Sequence, residues 1–215
     1  MEKRVKKANL LINARGETKY SSNELKLIAT LIEQVKTTDT IFKEKYINLK
    51  DIEFLEDDYN NHSYLDSLCQ SIMSKPFKIP NTKVWVNWFS QMECKNGFIQ
   101  YCFTPALKPY LLELKGNYTL YELKNIIPLK SSYSIQIFEL LKQLEKYVFR
   151  KIILEDFKEI LNIPKSYKTN DIKRLIERSQ KELKEKSKFY FEPHYKKKGR
   201  KITHINFEVI YHMNY

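Results

Sequence analysis

The run HYKKKGRKITHINFEV, His194 to Val209, crowds Lys196, Lys197, Lys198, Arg200 and Lys201 around one glycine, Gly199, before the strand-like series Ile202, Ile205, Phe207 and Val209. Five like charges at a hairpin tip repel one another and add nothing to a core. The chemistry open to them is neutralisation of an anion, and a phosphate backbone rewards several cations together. Upstream, Arg174, Arg178 and Lys181 recur at helical spacing. At about 100° per residue they share roughly 60° of arc, and Asn170 and Asp171 carry the stripe back to the helix start. Guanidinium forks so placed suit phosphates and guanine edges. The plain alternative is a solvated helix face and an exposed loop.

The charge is unevenly spread. The 215 residues hold 38 Lys+Arg against 26 Asp+Glu, a formal net charge of +12. Residues 1–125 hold 18 basic and 15 acidic side chains, and residues 126–215 hold 20 and 11. Within the second half, residues 165–201 contain 14 basic and 5 acidic residues and so carry its whole excess. Such a balance suits a polyanion, either nucleic acid or an anionic membrane surface. Hydrophobic content of 42% is enough for a packed core.

Other chemistries lack their residues. The four histidines, His62, His194, His204 and His212, form no His-x-His pair, so a tyrosine-nucleophile DNA-cleaving enzyme has no metal site. Gly16, Gly97, Gly116 and Gly199 never make a phosphate-cradling GxxxxGK[ST] loop. Cys69, Cys94 and Cys102 lack zinc spacing and are odd in number, which points to a reducing compartment without a disulfide framework. Asp57 and Asp58 lie in a polar turn. No catalytic site, metal or cofactor is expected. No stretch approaches the roughly 20 apolar residues of a membrane span, and Ala8, Leu10, Leu11 and Ile12 are too few for a signal-peptide core. A membrane-surface role would need the apolar face of the 171–186 helix, which serves better as core. The expectation is a cytoplasmic protein with no membrane partner.

Periodicity supplies the elements. Ser131–Lys146 predicts a helix capped by Ser131 or Ser132, with Tyr133, Ile137, Leu140, Leu141 and Leu144 on one face. Lys151–Leu154 predicts a strand, Glu155–Ile163 a short helix stopped by Pro164, and Asp171–Lys186 a third helix capped by Thr169 or Asn170. The third helix turns Ile172, Leu175, Ile176, Ser179 and Leu183 inward. Lys188–Pro193 and Ile202–Ile210 predict two strands joined by the basic loop, with Gly199 able to take positive φ. Helix, strand, helix, turn, helix and hairpin make a winged helix, whose third helix enters a major groove while the wing lies on phosphates.

The first half repeats the plan at an offset of about 105 residues, as a duplicated module does. Ser21–Val35 predicts a helix with Leu25, Ile28, Ala29 and Ile32 inward; Tyr46–Leu49 a strand; Leu49–Glu56 the counterpart of the second helix. DDYNNHS is a turn, Ser63–Met73 a third helix, PFKIP the start of a sheet, and VWVNWFSQMECKNGFIQYCFT a hairpin turned at Asn96-Gly97. Thr104–Lys115 packs after it. The pattern of that hairpin exposes Trp85, Trp88 and Phe89; burial in their own domain is weighed ahead of contact with a second copy or a protein partner. TLYELKNII connects the copies as strand or helix. The fold class is α+β, two tandem winged helices, with residues 1–125 as the N-terminal domain and 126–215 as the C-terminal one.

Three stretches carry a resemblance: LKSSYSIQIFELLKQLEKY, LEDFKEILNIPKSYKTNDIKRLIERSQKELKEKS and KKGRKITHINFEV. In this order they cover most of residues 120–210 and resemble the replication initiators of theta-replicating, iteron-bearing plasmids; NELKLIATLIEQV and the aromatic hairpin are similar in layout. The resemblance implies a sequence-specific binder of double-stranded DNA carrying directly repeated origin sites. It implies origin opening, recruitment of the host initiator, helicase and chaperones, and an initiating monomer beside an autorepressing homodimer formed through the N-terminal domain. It puts Lys168, Asn170, Lys173, Arg174, Arg178 and Lys181 in the groove and Lys196, Lys197, Lys198, Arg200 and Lys201 on phosphate. In the first domain Asn60, Asn61, Ser63, Tyr64 and Ser67 fall at the matching turn and helix start, flanked by Lys75, Lys78 and Lys83. Those positions are nearly uncharged, so any DNA contact there is polar and auxiliary. A winged-helix transcription regulator has the same binding chemistry and is the alternative reading.

Overall fold

The computed structural model describes residues 2–36, 38–55, 62–114, 116–144 and 149–210. The chain opens with β1 (Arg4–Ala8), one helical turn α1 (Asn9–Ile12) and the short β2 (Arg15–Gly16). The first winged helix follows: α2 (Ser22–Glu33), β3 (Lys45–Asn48), α3 (His62–Met73), β4 (Phe77–Lys78), β5 (Trp85–Val86), β6 (Phe89–Lys95) and β7 (Phe98–Phe103). After α4 (Lys108–Leu111) and β8 (Tyr118–Glu122) comes the second. It comprises α5 (Ser132–Lys142), β9 (Phe149–Ile153), α6 (Leu154–Ile160), α7 (Thr169–Ser187), β10 (Tyr190–Lys198) and β11 (Lys201–Ile210).

The copies share a topology. In each, the short strand after the leading helix pairs antiparallel with the second strand of the hairpin, giving the orders β3-β7-β6 and β9-β11-β10. Each leading helix is capped by serine: Ser21 Oγ accepts the Glu24 N–H at 3.2 Å and Ser131 Oγ the Ser134 N–H at 3.4 Å. Glu24 returns the bond to the Ser21 N–H at 2.5 Å, closing a capping box. The first wing turns at Asn96 (φ +52°) and Gly97 (φ +78°), both left-handed as a two-residue hairpin turn requires.

One continuous buried cluster runs from Val5 to Val209 through both copies. The helices pack in a row, α3 on α2, α2 on α5, and α5 on α7. The two central helices are therefore buried nearly all round. In α2, Lys26, Leu27, Ala29, Thr30 and Leu31 are buried along with Ile28 and Ile32, and Leu25, expected inward, is only half-buried. In α5, Ser132, Ser134, Ile135 and Phe138 join Ile137, Leu140 and Leu141, with Tyr133 and Leu144 half-buried. A one-faced pattern describes a surface helix, and these helices have neighbours on two sides.

The first sixteen residues hold the copies together. β1 pairs with β8 from Arg4↔Glu122 to Ala8↔Tyr118. Lys7 makes a buried ion pair of 2.6 Å with Glu139 of α5. Asn13 donates to Gln143 at 3.2 Å, and the Arg150 guanidinium donates to Leu140 O at 2.5 Å and to Asn13 Oδ1 at 3.1 Å. Burial lowers the Arg150 pKa to about 10. Arg15 reaches Asp156 at 2.8 Å and also Glu159.

Several boundaries differ from expectation. The counterpart of α6 is not a helix but two 3₁₀ turns, Leu49–Asp51 and Glu53–Leu55. Leu49, Ile52 and Leu55 are buried at intervals of three, the period of that tighter helix. The aromatic run divides at Asn87-Trp88: β5 pairs with β4, and only β6 belongs to the hairpin. Trp88 and Phe89 are consequently core, at 6% and 1% exposure, while Trp85 stays 47% exposed. The connector is strand β8 followed by a 3₁₀ turn, Leu123–Asn125. The short helix expected to 163 ends at Ile160, and Asn162 reverses the chain at φ +51° before Pro164. The expected turn residues 57–61, including Asn60 and Asn61, lie outside the described residues.

Candidate nucleic-acid interface

Helix α7 starts at Thr169, two residues before the expected Asp171. Lys168 is the N-cap, and its N–H donates to the Asp171 carboxylate at 2.9 Å. Asp171 thus satisfies a helix-end donor and sits favourably in the first turn. Ile172, Leu175, Ile176, Ser179 and Leu183 are buried, which turns Asn170, Arg174, Arg178 and Lys181 outward. Among the described residues neither Arg174 nor Arg178 has a carboxylate partner. The lysines are less free: Lys173 lies 5.0 Å from the centroid of the Tyr195 ring in β10, and Lys181 stands 4.0 Å from Glu185. Arg174 and Arg178 border a groove between the start of α5 and α7, whose walls include Ser131, Tyr133, Ser166 and Tyr167.

The basic stretch after α7 is strand rather than loop. Lys196, Lys197 and Lys198 end β10, Lys201 begins β11, and the turn is only Gly199 and Arg200. Gly199 has φ +61°, where a Cβ would strain the turn. Register shifts from Lys196↔His204 to Lys197↔Ile202, leaving Thr203 as a bulge. A bulge adds twist, so the cations are not confined to one face of the ribbon. All five are exposed and, among the described residues, have no acidic partner.

The first winged helix offers a different surface. On α3, Leu65, Leu68, Cys69 and Ile72 face the core. Ser63, Asp66, Ser67 and Gln70 face out, with Gln70 bonded to Asp66 at 2.9 Å. Tyr64 is half-buried, its hydroxyl accepting from Asn23 Nδ2 at 2.6 Å. Lys75 is turned inward onto Glu24 at 2.6 and 2.7 Å, so its charge is compensated within the protein. Lys78 and Lys83 are exposed on β4 and the turn after it. A second groove runs between the start of α2 and α3, bordered by Lys19, Ser22, Tyr64, Ser67 and Ser71, and reaches Ser132 of α5.

Two family descriptions match this chain. Residues 4–142 match "Initiator Replication protein, WH1" and residues 153–209 match "Initiator Rep protein, WH2". The chain belongs to this replication initiator family. Among solved structures, the Pi initiator protein in complex with iteron DNA superposes with a TM-score of 0.79 at 15% identity, over 97% of each chain. Domains 2 and 3 of RctB superpose with a TM-score of 0.56 at 9% identity, over 89% of this chain and 82% of that one. No curated protein matches. At these identities the structures share the fold.

Read as an initiator, the chain gathers residues that periodicity did not single out. Tyr133, expected on the inward face of α5, packs half-buried against the core, and its ring also lies 3.3 Å from the ammonium of Lys19, which periodicity did not mark, centroid to nitrogen. Ser166 and Tyr167 sit in the turn before α7. Their signal in the sequence is slight: the paired serines Ser21-Ser22 and Ser131-Ser132 mark both helix starts, and nothing marks Lys19.

Proposed function

We propose that this initiator binds double-stranded origin DNA at direct repeats, with α7 in a major groove and the β10–β11 wing along the adjoining backbone. The observation that carries the reading is the pair of exposed guanidiniums of Arg174 and Arg178, without a carboxylate partner among the described residues, on the face of α7 opposite its buried one. Asn170, Lys173, Lys168 and Lys181 flank them. Residues 126–215 are the main recognition domain and residues 1–125 the auxiliary and dimerising one, as the charge excess beyond residue 164 supports. Ser63, Tyr64, Ser67, Lys78 and Lys83 offer the first domain's contact, and Lys75 supports the fold through Glu24. Origin opening, recruitment of host replication proteins, a cytoplasmic setting and autorepression as a homodimer complete the reading, and family membership supports them. It assigns binding without catalysis or cofactor.

Footprinting the purified protein on DNA flanking its gene, at two salt concentrations, tests this. Short, evenly spaced protected repeats are expected. A lone promoter palindrome would make the protein a regulator instead, and no protection at either salt would end the α7 assignment. If six to ten cations meet phosphates, affinity falls roughly 10³–10⁵-fold between 50 and 200 mM salt. Lys197→Ala or Arg200→Ala in the wing should weaken all duplexes alike. Each should also flatten the log–log salt slope by about 0.9, read by titration across that range.

A further inference from the structure

We propose that Lys19 and Tyr133, where the two winged helices meet, form a further DNA contact, a backbone phosphate clamp between the groove entered by α7 and the groove faced by α3. The proposal rests on the DNA-binding reading above and adds a site to it. Its first support is position. The groove beside α3 contains Lys19 and runs to Ser132, while the groove beside α7 contains Ser131 and Tyr133, so the two meet at the start of α5. The row α3-α2-α5-α7 takes three helix-to-helix steps of about 8–10 Å each. That gives at most about 30 Å between the outer helices, close to the roughly 34 Å separating successive major-groove contacts on one face of a duplex. A duplex engaging both helices must carry its intervening backbone across the α2–α5 junction.

The second support is the state of the lysine. Lys19 is half-buried, with its ammonium over the Tyr133 ring and, among the described residues, no carboxylate in ion-pair range. Burial lowers its pKa, so the charge is held there at a cost that an anion would offset. The carboxylates that line the two grooves, Glu24 and Asp171, and Glu182 at the start of α5 are already engaged, Asp171 by the Lys168 N–H at 2.9 Å. Glu24 holds Lys75, and Glu182 accepts the Lys130 and Ser131 N–H groups at 2.7 and 3.3 Å and pairs with Lys186 at 3.2 Å. The ring fixes the cation without neutralising it.

The test is phosphate-ethylation interference on the footprinted duplex with wild type, Lys19→Gln, Lys19→Arg and Tyr133→Phe. Ethylation between the two protected grooves should interfere with wild type, Lys19→Arg and Tyr133→Phe, which keep cation and ring, and no longer with Lys19→Gln. One lost counterion release, about 0.9 decade per decade of salt, corresponds to about eightfold weaker binding at 0.1 M relative to a 1 M reference. Lys19→Gln should show that loss and the shallower slope on target and scrambled duplexes alike. If Lys19→Gln keeps the wild-type interference pattern and slope, the pair is a staple between modules and the clamp is wrong. Failure of the underlying reading shows separately, as wild-type protein that prefers no sequence.

Discussion

Arg174→Ala and Arg178→Ala are each expected to cost about 1–3 kcal/mol of discrimination between the target repeat and a scrambled duplex, roughly 5–150-fold. Both side chains are exposed and, among the described residues, have no carboxylate partner, so their removal breaks no ion pair there, and stability should stay within about 0.5 kcal/mol. They are four residues apart, a rise of about 6 Å along the helix, close to two base-pair steps of roughly 3.4 Å. Two forks at that interval can read base pairs two steps apart. Arg174→Lys should not restore discrimination, because an ammonium keeps the charge and loses the two-pronged geometry. Lys173→Ala should matter less, since that ammonium already leans on Tyr195. Competition titrations at one salt concentration separate the effects. Equal losses on target and scrambled DNA would reduce both arginines to phosphate contacts and move base reading elsewhere on α7.

The reason this face could be read in advance is instructive. In α7 one side is in the core and the other faces out, so polarity follows the 3.6-residue period, and Ile172, Leu175, Ile176, Ser179 and Leu183 came out as expected. The serine cap expected at Ser131 or Ser132 and the Asn96-Gly97 turn were likewise legible, because each rests on local stereochemistry, and the same signal at Ser21 was passed over. Where tertiary contact overrides local pattern, the reading failed. Lys26 and Thr30 are buried because α2 has α5 on one side and α3 on the other, an arrangement no single-helix period encodes. VWVNWFSQ reads as one strand, and the exposed option for Trp88 and Phe89 rested on that; the chain leaves one sheet after Val86 and enters another at Phe89, which buries both. The wing's charges were legible and its shape was not, since a run of lysines does not announce a bulge at Thr203. Residues 4–16 gave almost no signal, because much of their bonding is to partners more than a hundred positions away.

The most costly omission in that segment is Lys7, and it carries the largest expected effect on stability. Its ammonium and the Glu139 carboxylate are 2.6 Å apart, with both residues nearly inaccessible at 5% and 6% exposure. The Tyr121 hydroxyl donates to the same carboxylate, and burial followed by the Glu139 charge holds the tyrosine pKa well above its usual value. A charge in that place is tolerable only while its partner remains. Lys7→Met leaves Glu139 ionised with one hydroxyl donor; Glu139→Gln leaves an ammonium with no anion. Each single change should cost about 3–5 kcal/mol. Lys7→Met/Glu139→Gln together should cost distinctly less than the sum, since no unpaired charge remains and the glutamine still accepts from Tyr121. Urea unfolding of the four proteins at neutral pH, followed by fluorescence and circular dichroism, measures this cycle. Additive losses would show that the pair is solvated in solution. Because the pair ties β1, at the start of the chain, to α5, the leading helix of the second copy, the single variants should also loosen the fixed spacing of α3 and α7. Their affinity for a target spanning both grooves should then fall more than their affinity for one half of it.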